Sequence, residues 1–437
     1  MSKILIKNTQ ILSMDDKIGD IACGDILIEN NLIKQIGKHI KSNSSMEIID
    51  GSNYITMPGL IDTHRHVYQQ LLSQAFTNWP LSVYFDQFHG DIATRLRPQD
   101  IYVGCYMGYL EALNTGITTV LDWANATNTL EHGLANLKAA KQSSIRTVVA
   151  IAELLSSPVS DDNLKKMEKI SQENNSSIIQ IGLGINSHHI NQMKRQIVKA
   201  NKMNILSTSH IFGDSIAGGA GIIEHLHDEK IPLNLINFAH CNRLSQRDYE
   251  ILSKGNISVS ITPEVEMLMG HGNPPYHPLI TQGLKPSIGV DTTAVVGSNL
   301  IVQLRIALAY YHNVENERLK YTRNESNENR FNAKNALEMG TINGARALKM
   351  DDEIGSLTPN KKADLIMVKI NNQQTSPIYN PYNYILMNGH AGNIDYVMVN
   401  GKWNKKSGYL LQSSIDNDLI KDSINHIKKE LSQSYMS

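Results

Sequence analysis

Two histidines separated by one residue end an apolar segment near the N-terminus, in MPGLIDTHRH, residues 57–66. Side chains two residues apart on a β-strand point to the same face, so His64 and His66 could both reach one cation. Imidazole nitrogens are common ligands of zinc and related divalent metals. The pattern alone is also compatible with two unrelated histidines, so its meaning depends on what ends the other strands.

Three further polar residues end apolar segments later in the chain: His210 closes NILSTSH, His240 closes LINFAH and Asp291 closes SIGVD. Active sites of barrels built from alternating strands and helices lie at the C-terminal ends of the strands. Histidine and carboxylate ligands gathered there suit a borderline divalent metal such as zinc. Each of these residues alone would better suit a capping or core position. Together with His64 and His66 they predict a metal site.

The middle of the chain alternates apolar segments of strand length with helical stretches, which include residues 101–113, 191–200 and 299–311. Eight strand–helix units in about 250–300 residues are typical of a (β/α)8 barrel. The predicted barrel strands are residues 55–63, 118–122, 146–152, 178–185, 205–210, 235–240, 257–262 and 286–291.

Both ends of the chain carry short apolar segments broken by polar residues, such as DILIEN near the start and IDYVMVNGKW near the end. Alternation over so few residues predicts short strands. The predicted fold class is therefore α/β, a (β/α)8 TIM barrel with a small β-sandwich domain formed from both termini. The barrel is expected over residues 57–353, the β-sandwich over 1–56 and 354–411, and a C-terminal helix over 412–437.

The C-terminal segment has apolar residues at helical spacing, which usually cover a core. We expect this helix to pack on the barrel or on a partner subunit. Two-fold homodimers are the commonest soluble oligomers, so a homodimer or higher homo-oligomer is expected. The apolar positions are Ile415, Leu419, Ile424, Ile427 and Leu431.

The composition argues against several kinds of partner. The 437 residues are 41% hydrophobic and carry a formal net charge of −1, whereas nucleic-acid binders usually show a basic excess. The N-terminal residues lack the apolar core and cleavage site of a secretory signal, and no apolar run reaches the roughly 18 residues of a membrane span. Cys23, Cys105 and Cys241 form no CxxC pair, which suits a reducing compartment. We expect a cytoplasmic protein with a small-molecule substrate and no nucleic-acid or membrane partner.

Four segments, in order, resemble the amidohydrolase superfamily in its chlorohydrolase and cytosine-deaminase-like branch. PGLIDTHRH is similar to the signature of the superfamily, AHCNRLS to its sixth-strand segment and GVDTTAVVGSNL to its eighth-strand segment. Residues 343–368 resemble the segment that leads these proteins from the barrel back into the β-sandwich. The resemblance covers nearly the whole chain and implies a metal-dependent hydrolase of carbon–nitrogen bonds other than peptide bonds.

The resemblance implies that His64, His66, His210 and Asp291 hold the metal and that Asp291 also acts as the base for water. His240 matches the sixth-strand histidine, which completes the metal shell or orients the water. The ends of strands three and four, VAIAELLS and IGLGINSHH, lack the lysine that binuclear members use. One divalent metal is therefore expected, zinc first, with iron or manganese as alternatives. Such a cation makes a nucleophile from water near neutral pH.

Two segments depart from the pattern of the branch. Its deaminases carry His-x-x-Glu at the end of strand five, where this chain has Gly213 followed by Asp214. The loop after strand seven reads TPEVEMLMGHGNPP and brings Glu264, Glu266 and His271 to the expected mouth of the barrel. We predict that Glu264 or Glu266 supplies the missing acid–base function. The alternatives are that Asp214 does so, or that this loop is merely solvated.

The predicted activity is hydrolysis of a carbon–nitrogen bond in a small heterocyclic or amidine-like compound. Because of Gly213, the alternatives are dehalogenation, amide or lactam hydrolysis, or a lyase reaction at the same metal. An inactive binding protein on the same fold is the remaining hypothesis. The predicted substrate-binding residues are Gln69, Asn186, Asp214 and His271.

Overall fold

The computed structural model describes residues 3–152, 160–173, 178–187, 189–212, 219–322, 331–370, 377–412 and 415–435. The chain divides into two compact units. One contains residues 1–62, 111–119 and 299–412, and the other contains residues 63–110, 120–298 and 413–437. The predicted domain boundaries at residues 56, 353 and 411 stay predictions.

Seventeen strands occur among the described residues. The first five are β1 (Lys3–Leu12), β2 (Asp20–Glu29), β3 (Leu32–Gly37), β4 (Glu47–Asp50) and β5 (Tyr54–Pro58). The next eight are β6 (Leu60–Arg65), β7 (Ile117–Ala124), β8 (Arg146–Ile151), β9 (Ile179–Ile185), β10 (Ser207–Ile211), β11 (Ile236–His240), β12 (Ser258–Ile261) and β13 (Ser287–Ile288). The last four are β14 (Leu365–Lys369), β15 (Ile394–Val399), β16 (Lys402–Lys406) and β17 (Tyr409–Leu410).

The strands from the two ends of the chain share one mixed sheet of nine strands, in the order β17-β16-β15-β14-β5-β1-β2-β3, with β4 also on β1. The junction between the two ends is the antiparallel pair of β5 and β14, in which Met57 lies opposite Ile366. One core contains Ile4 and Ile6 of β1 together with Leu365 and Met367 of β14. The predicted β module from both termini is therefore confirmed.

The eight middle strands form a second sheet in the order β6 to β13. The described pairs from β8 to β13 are all parallel, and an isolated parallel bridge joins Arg65 to Asp291. The last strand thus returns to the first and nearly closes the sheet. Strands β6, β7 and β8 are buried along their whole length, as is usual for parallel sheets. The predicted (β/α)8 barrel is confirmed.

The first predicted barrel strand, residues 55–63, is wrong as a single element. The extended segment is interrupted at Gly59. The strand before it, β5, belongs to the terminal sheet, and the strand after it, β6, is the first strand of the barrel. A Cβ on Gly59 would lie 2.1 Å from the Thr118 hydroxyl, and the Gly59 amide donates to the Asp364 carbonyl. A continuous apolar run hid this change of sheet, because both strands are buried.

The helices alternate with the barrel strands and continue beyond them. The first barrel loop forms short helical turns at Val67–Leu72, Leu81–Val83, Tyr84–His89 and Ile92–Arg95. The other helices are Pro98–Asn114, Leu130–Ser143, Asp161–Glu173, Ile190–Met203, Ile222–Asp228, Gln246–Lys254, Pro263–Leu268, Tyr276–Thr281, Leu300–Thr322, Ala333–Met339, Ile342–Ala347, Pro381–Asn388 and Asn417–Tyr435. No helix in the described part of the chain is both long and apolar enough to cross a membrane.

Candidate metal centre and substrate pocket

Five predicted residues meet where the barrel strands end. His64 lies in β6 and His66 follows it, His210 lies in β10, His240 ends β11, and Asp291 follows β13. The closure of the barrel fixes the first and last of these ends, because the Asp291 amide donates to the His64 carbonyl and the His66 amide donates to the Asp291 carbonyl, both at 2.8 Å. Residues distant in sequence therefore share one site.

The donor atoms of these residues are close enough to bind one cation. Two groups of three share His64: His64 with His210 and His240, and His64 with His66 and Asp291. Within each group the donor atoms lie within 4.8 Å of one another. Imidazole and carboxylate donors in this number suit a divalent metal of the zinc type, so the residues present fit the expected cofactor.

The protonation states also suit metal binding, which requires neutral imidazoles and an ionised carboxylate. Burial lowers the pKa of His66 to about 4. Burial and the neighbouring imidazoles hold the pKa values of His210 and His240 well below their ordinary range. Burial raises the pKa of the Asp291 carboxyl, but the hydrogen bond with His64 and the electrostatic influence of the surrounding histidines outweigh it, so the net pKa lies below its usual value.

Hydrogen-bond contacts to the Nδ1 atoms orient the imidazole rings of two histidines, His66 and His240. His66 Nδ1 lies 3.2 Å from the Trp123 carbonyl and 3.1 Å from Asn125 Oδ1, while its Nε2 lies 3.4 Å from Asp291. A histidine that binds metal through Nε2 keeps its proton on Nδ1 and donates it to an outer acceptor. The contacts of His66 match that arrangement.

His240 is also held through its Nδ1 atom, by two residues that follow β12. Its Nδ1 lies 3.0 Å from Thr262 Oγ1 and 3.3 Å from Glu266 Oε1, and its Nε2 lies 3.7 Å from Asp291 Oδ2. Glu266 is fully buried in the helix Pro263–Leu268 and accepts from the Thr262 amide at 2.8 Å. Burial raises the pKa of Glu266 to about 8.

The two glutamates of this helix therefore differ. Glu266 contacts His240 but does not line the pocket, whereas Glu264 is only half-buried and does not line it either. Of the two predicted acid–base residues, Glu266 is the one that the structure brings next to the candidate metal site. It contacts His240 on the side of that ring that faces away from the pocket.

A pocket opens over the metal site and is lined mainly by aromatic and imidazole rings. Trp123 lies against His210, with ring centroids 4.0 Å apart, and Phe212 lies 4.8 Å from His240. The loops that follow β6 and β12 meet at the pocket wall, where the Leu81 amide donates to the Met269 carbonyl at 3.0 Å. The lining residues are His66, Leu81, Tyr84, Phe85, His89, Trp123, Asn125, Asn186, Ser187, His210, Phe212, His240, Met269, His271, Asp291 and Thr292.

The predicted substrate-binding residues have different positions. Asn186 and His271 line the pocket, and the His271 ring centroid lies 4.8 Å from that of His240. Gln69 is fully buried behind the wall and binds the Tyr84 hydroxyl and Thr292. Asp214 lies outside the described residues.

Asn125 and Thr262 were missed by the sequence analysis. Each follows the end of a barrel strand, which is the signal that could have identified them. Neither is charged or an obvious metal ligand, so residue type alone gave no reason to single them out.

Two residues of the site have a left-handed backbone. The φ angle of His240 is 72° and that of Asp291 is 69°. This region is uncommon for residues other than glycine, although aspartate and histidine tolerate it better than most. Such conformations cost on the order of 1 kcal/mol or more and are concentrated at functional sites.

The chain is similar to proteins of known family. The sequence model of the amidohydrolase family matches residues 55–404. The chain is 28% identical over 419 residues to a 5-methylthioadenosine/S-adenosylhomocysteine deaminase of Carboxydothermus hydrogenoformans, covering 91% of this chain and 92% of the relative. It is 25% identical over 437 residues to a 5'-deoxyadenosine deaminase of Methanosarcina acetivorans, covering 92% of each.

Solved structures give the same fold. An adenosine deaminase from Xanthomonas campestris with bound zinc matches with a TM-score of 0.85 at 17% identity, over 99% of both chains. An atrazine chlorohydrolase from Arthrobacter aurescens TC1 complexed with zinc matches with a TM-score of 0.78 at 20% identity, over 97% of this chain and 99% of the other.

The family match spans the whole barrel and the part of the terminal sheet that includes β5, β14 and β15. It confirms the resemblance drawn from the four sequence segments, and the donor set could hold a divalent metal. The chain therefore belongs to the amidohydrolase family, as a metal-dependent hydrolase of carbon–nitrogen bonds other than peptide bonds.

Proposed function

We propose that this enzyme hydrolyses an amine-bearing carbon of a small heterocyclic or amidine-like compound and releases ammonia. The observation that carries this proposal is the convergence of four histidines and Asp291 on one point at the floor of an aromatic pocket. Two relatives over nine-tenths of the chain are named as deaminases of adenosine compounds, and their names give the class of bond.

Zinc is the proposed metal, held by His64, His66, His210 and Asp291. When bound, the divalent cation supplies a water whose pKa is lowered to about 7. His240 either joins these ligands or orients the water, since its Nε2 and those of His64 and His66 all face Asp291.

The chain's own groups then divide the remaining work. Asp291 Oδ2 lies 3.4 Å from Thr262 Oγ1 and 3.7 Å from His240 Nε2, so this oxygen is placed to take the proton of the attacking water. His240 faces the same point. In the neutral tautomer that carries its proton on Nε2, with Nδ1 accepting from the Thr262 hydroxyl, it can donate to the oxyanion that develops on the substrate carbon. Neither role requires a charged imidazole in the resting enzyme.

The pocket walls favour a flat substrate. Trp123, Phe85 and Phe212 offer ring faces, while Asn125, Asn186 and His271 offer polar groups among them. Binding sites of this composition hold planar ligands by stacking and fix their orientation by a few hydrogen bonds. Asn186 and His271 are therefore proposed to bind substrate, with Gln69 supporting the wall through Tyr84 and Thr292.

Glu266 is proposed to act through His240 rather than on the substrate directly. Its carboxyl contacts His240 Nδ1 at 3.3 Å from behind the pocket wall. It therefore fixes which nitrogen of His240 faces Asp291. Asp214 remains the alternative acid–base residue proposed from the sequence.

The test combines metal analysis with a substrate panel. Purified enzyme loaded with zinc should contain one metal per chain and should release ammonia from at least one of 5'-deoxyadenosine, methylthioadenosine, adenine, cytosine or melamine. Metal content that is unchanged in a His64→Ala, His66→Ala double variant would contradict the proposed ligands. Chloride release from a chlorinated triazine without ammonia release from any amine would favour dehalogenation instead. A metal-free protein that binds these compounds unchanged would be the inactive binding protein.

We also propose a cytoplasmic homodimer. The cysteines at positions 23, 105 and 241 are all free thiols, as is usual for proteins of a reducing compartment. Two-fold homodimers are the commonest assemblies of soluble proteins. Light scattering at micromolar concentration should give twice the chain mass, and a monomer would refute the assembly.

A further inference from the structure

Asn125 joins the metal site to the substrate pocket. It directly follows β7, its side chain is buried, and it forms part of the pocket wall. Its Oδ1 lies 3.1 Å from His66 Nδ1, and its backbone amide donates to the Trp123 carbonyl at 2.9 Å. Within the described range 117–127, two residues both line the pocket and contact a proposed ligand through their side chains: Asn125 and Trp123.

The contact with His66 fixes the orientation of the Asn125 amide. His66 Nε2 faces Asp291 at 3.4 Å, so a cation bound there leaves the imidazole proton on Nδ1. That proton has two acceptors within reach, the Asn125 oxygen at 3.1 Å and the Trp123 carbonyl at 3.2 Å. A flipped amide would place its NH2 group against the Nδ1–H group, where two donors repel each other.

The NH2 group of Asn125 therefore has a forced direction. It makes no hydrogen bond to the part of the chain that the structure describes, although Asn125 is only 7% exposed. An amide donor in a pocket wall is satisfied by water in the free enzyme and by ligand when the pocket is filled. The pocket thus presents a donor at a fixed point beside the metal site.

We propose that Asn125 determines specificity by donating from Nδ2 to the substrate ring nitrogen adjacent to the carbon that is attacked. This role rests on the proposed deaminase-like function. When water adds to that carbon, electron density moves onto the adjacent ring nitrogen, so a donor there gains strength in the transition state. Gly213 stands where the sequence resemblance implies a glutamate, so no carboxylate at that position can serve this nitrogen. The donor that follows β7 supports the nitrogen by a hydrogen bond without transferring a proton, and the proton that Asp291 takes from the water is passed to the amine, which leaves as ammonia.

The closing experiment compares ring nitrogen with ring carbon. Binding of adenosine and 1-deazaadenosine, and of cytosine and 3-deazacytosine, to the zinc-loaded enzyme is measured by rapid-mixing tryptophan fluorescence, before the bound amine is turned over, since Trp123 lines the pocket. The wild type should bind the parent amine of one pair about 10- to 100-fold more tightly than its deaza analogue, the range expected for one buried hydrogen bond. Asn125→Ala and Asn125→Ser should bind both members of that pair equally. Asn186→Ala, which alters the other amide of the wall, should keep the discrimination.

A second readout needs no substrate. Asn125→Asp keeps an oxygen for His66 Nδ1 and should bind cobalt(II) with the affinity and absorption spectrum of the wild type, yet lose the preference for the parent amine. Asn125→Ala should bind cobalt(II) about 10-fold more weakly, at the lower end of the range for outer contacts of metal-bound histidines, because the Trp123 carbonyl can still accept from His66 Nδ1. Thermal unfolding of each zinc-loaded variant checks that it is folded.

The outcomes separate this inference from the proposed function. Parent and deaza compounds that bind equally to the wild type, or a preference that survives in Asn125→Ala, would overturn the role of Asn125 and leave the deaminase-like function intact. If neither parent amine binds to the wild type, both the substrate class and this role are wrong. Loss of cobalt(II) binding in Asn125→Asp would overturn the orientation of the amide.

Discussion

Asp291 contacts three histidines of the metal site through its two carboxylate oxygens. Oδ1 lies 3.6 Å from His64 Nε2 and 3.4 Å from His66 Nε2, while Oδ2 lies 3.7 Å from His240 Nε2. Asp291→Asn keeps the shape but removes the charge and the proton acceptor. We expect turnover to fall by about 10²–10⁴, the usual contribution of a general base, and metal affinity to fall as well.

The measurement is steady-state ammonia release together with zinc content. Asp228→Asn is the matched control, because Asp228 is an exposed carboxylate at the end of the helix Ile222–Asp228. Full turnover in Asp291→Asn would remove Asp291 from the catalytic site.

Glu266 and Glu264 provide a second comparison at residue scale. Glu266→Gln replaces one carboxyl oxygen by an NH2 group, so the side chain can no longer accept from both the Thr262 amide and Asn242 while it contacts His240 Nδ1. We expect turnover to fall by about 10- to 100-fold, as for other residues that orient a metal-site histidine. Glu264→Gln should have the smaller effect, because Glu264 is half-buried and does not line the pocket. Kinetics of both variants at equal zinc loading test this, and the reverse order would disprove the role given to Glu266.

At the scale of elements, Gly289 controls how closely the last barrel strand approaches the first. A Cβ at this position would lie 2.5 Å from the His64 carbonyl oxygen and 2.8 Å from the His64 Cβ. We expect Gly289→Ala to destabilise the fold by about 1–3 kcal/mol through overpacking and to lower metal affinity, because it pushes the Asp291 segment away from His64.

Gly297→Ala is the control, since a Cβ there meets no atom within 4 Å. Chemical denaturation and zinc titration of both variants measure the two effects. Equal stability and equal zinc affinity in the two variants would show that β6 and β13 do not need this close approach.

The elements were predictable wherever a strand alternated with a helix. Seven of the predicted barrel strands overlap the observed strands β7 to β13, because apolar runs bounded by polar residues mark buried parallel strands. Residues 55–63 failed because Gly59 turns the chain from one sheet to another without interrupting the apolar pattern. A local pattern cannot show which sheet a buried strand joins.

The site was predictable to the extent that residue type reveals chemistry. His64, His66, His210, His240 and Asp291 are recognisable by type and position as candidates for a metal site at strand ends, and the structure brings them together. Asn125 was not recognisable, since its importance comes from a hydrogen bond to a ring 59 positions away in the sequence. Similarly, only the three-dimensional structure shows that Glu266 lies behind His240 rather than in the pocket.

At the scale of the whole molecule, the C-terminal helix Asn417–Tyr435 packs on its own chain, within the unit that holds the metal site. Ile427 is buried and Glu430 pairs with Arg95. His426 Nδ1 lies 2.9 Å from the buried Asp100. Of the two positions expected for this helix, the structure gives the one on the barrel unit.

Ile427→Ala should therefore destabilise the protein by about 2–4 kcal/mol, as for other large-to-small changes in a core. Leu419→Ala is the control, because Leu419 is only half-buried in the same helix. Denaturant unfolding followed by circular dichroism measures the difference, and zinc content at low denaturant should be equal in both. An unchanged unfolding midpoint in Ile427→Ala would mean that the helix adds nothing to the stability of this unit.

The left-handed backbone at His240 and Asp291 sets a limit on how this enzyme can be improved. Glycine adopts these φ angles without strain, so at both positions the backbone would be more relaxed with a residue that has no catalytic side chain. Stabilising substitutions are often found where a native residue is not the best one for folding, and at active sites they commonly reduce activity. A laboratory selection for thermostability alone would therefore favour glycine at positions 240 and 291, and these substitutions would abolish catalysis. Directed evolution of this protein should screen for turnover in every round, because a variant stabilised by a substitution at residue 240 or 291 is expected to have lost activity.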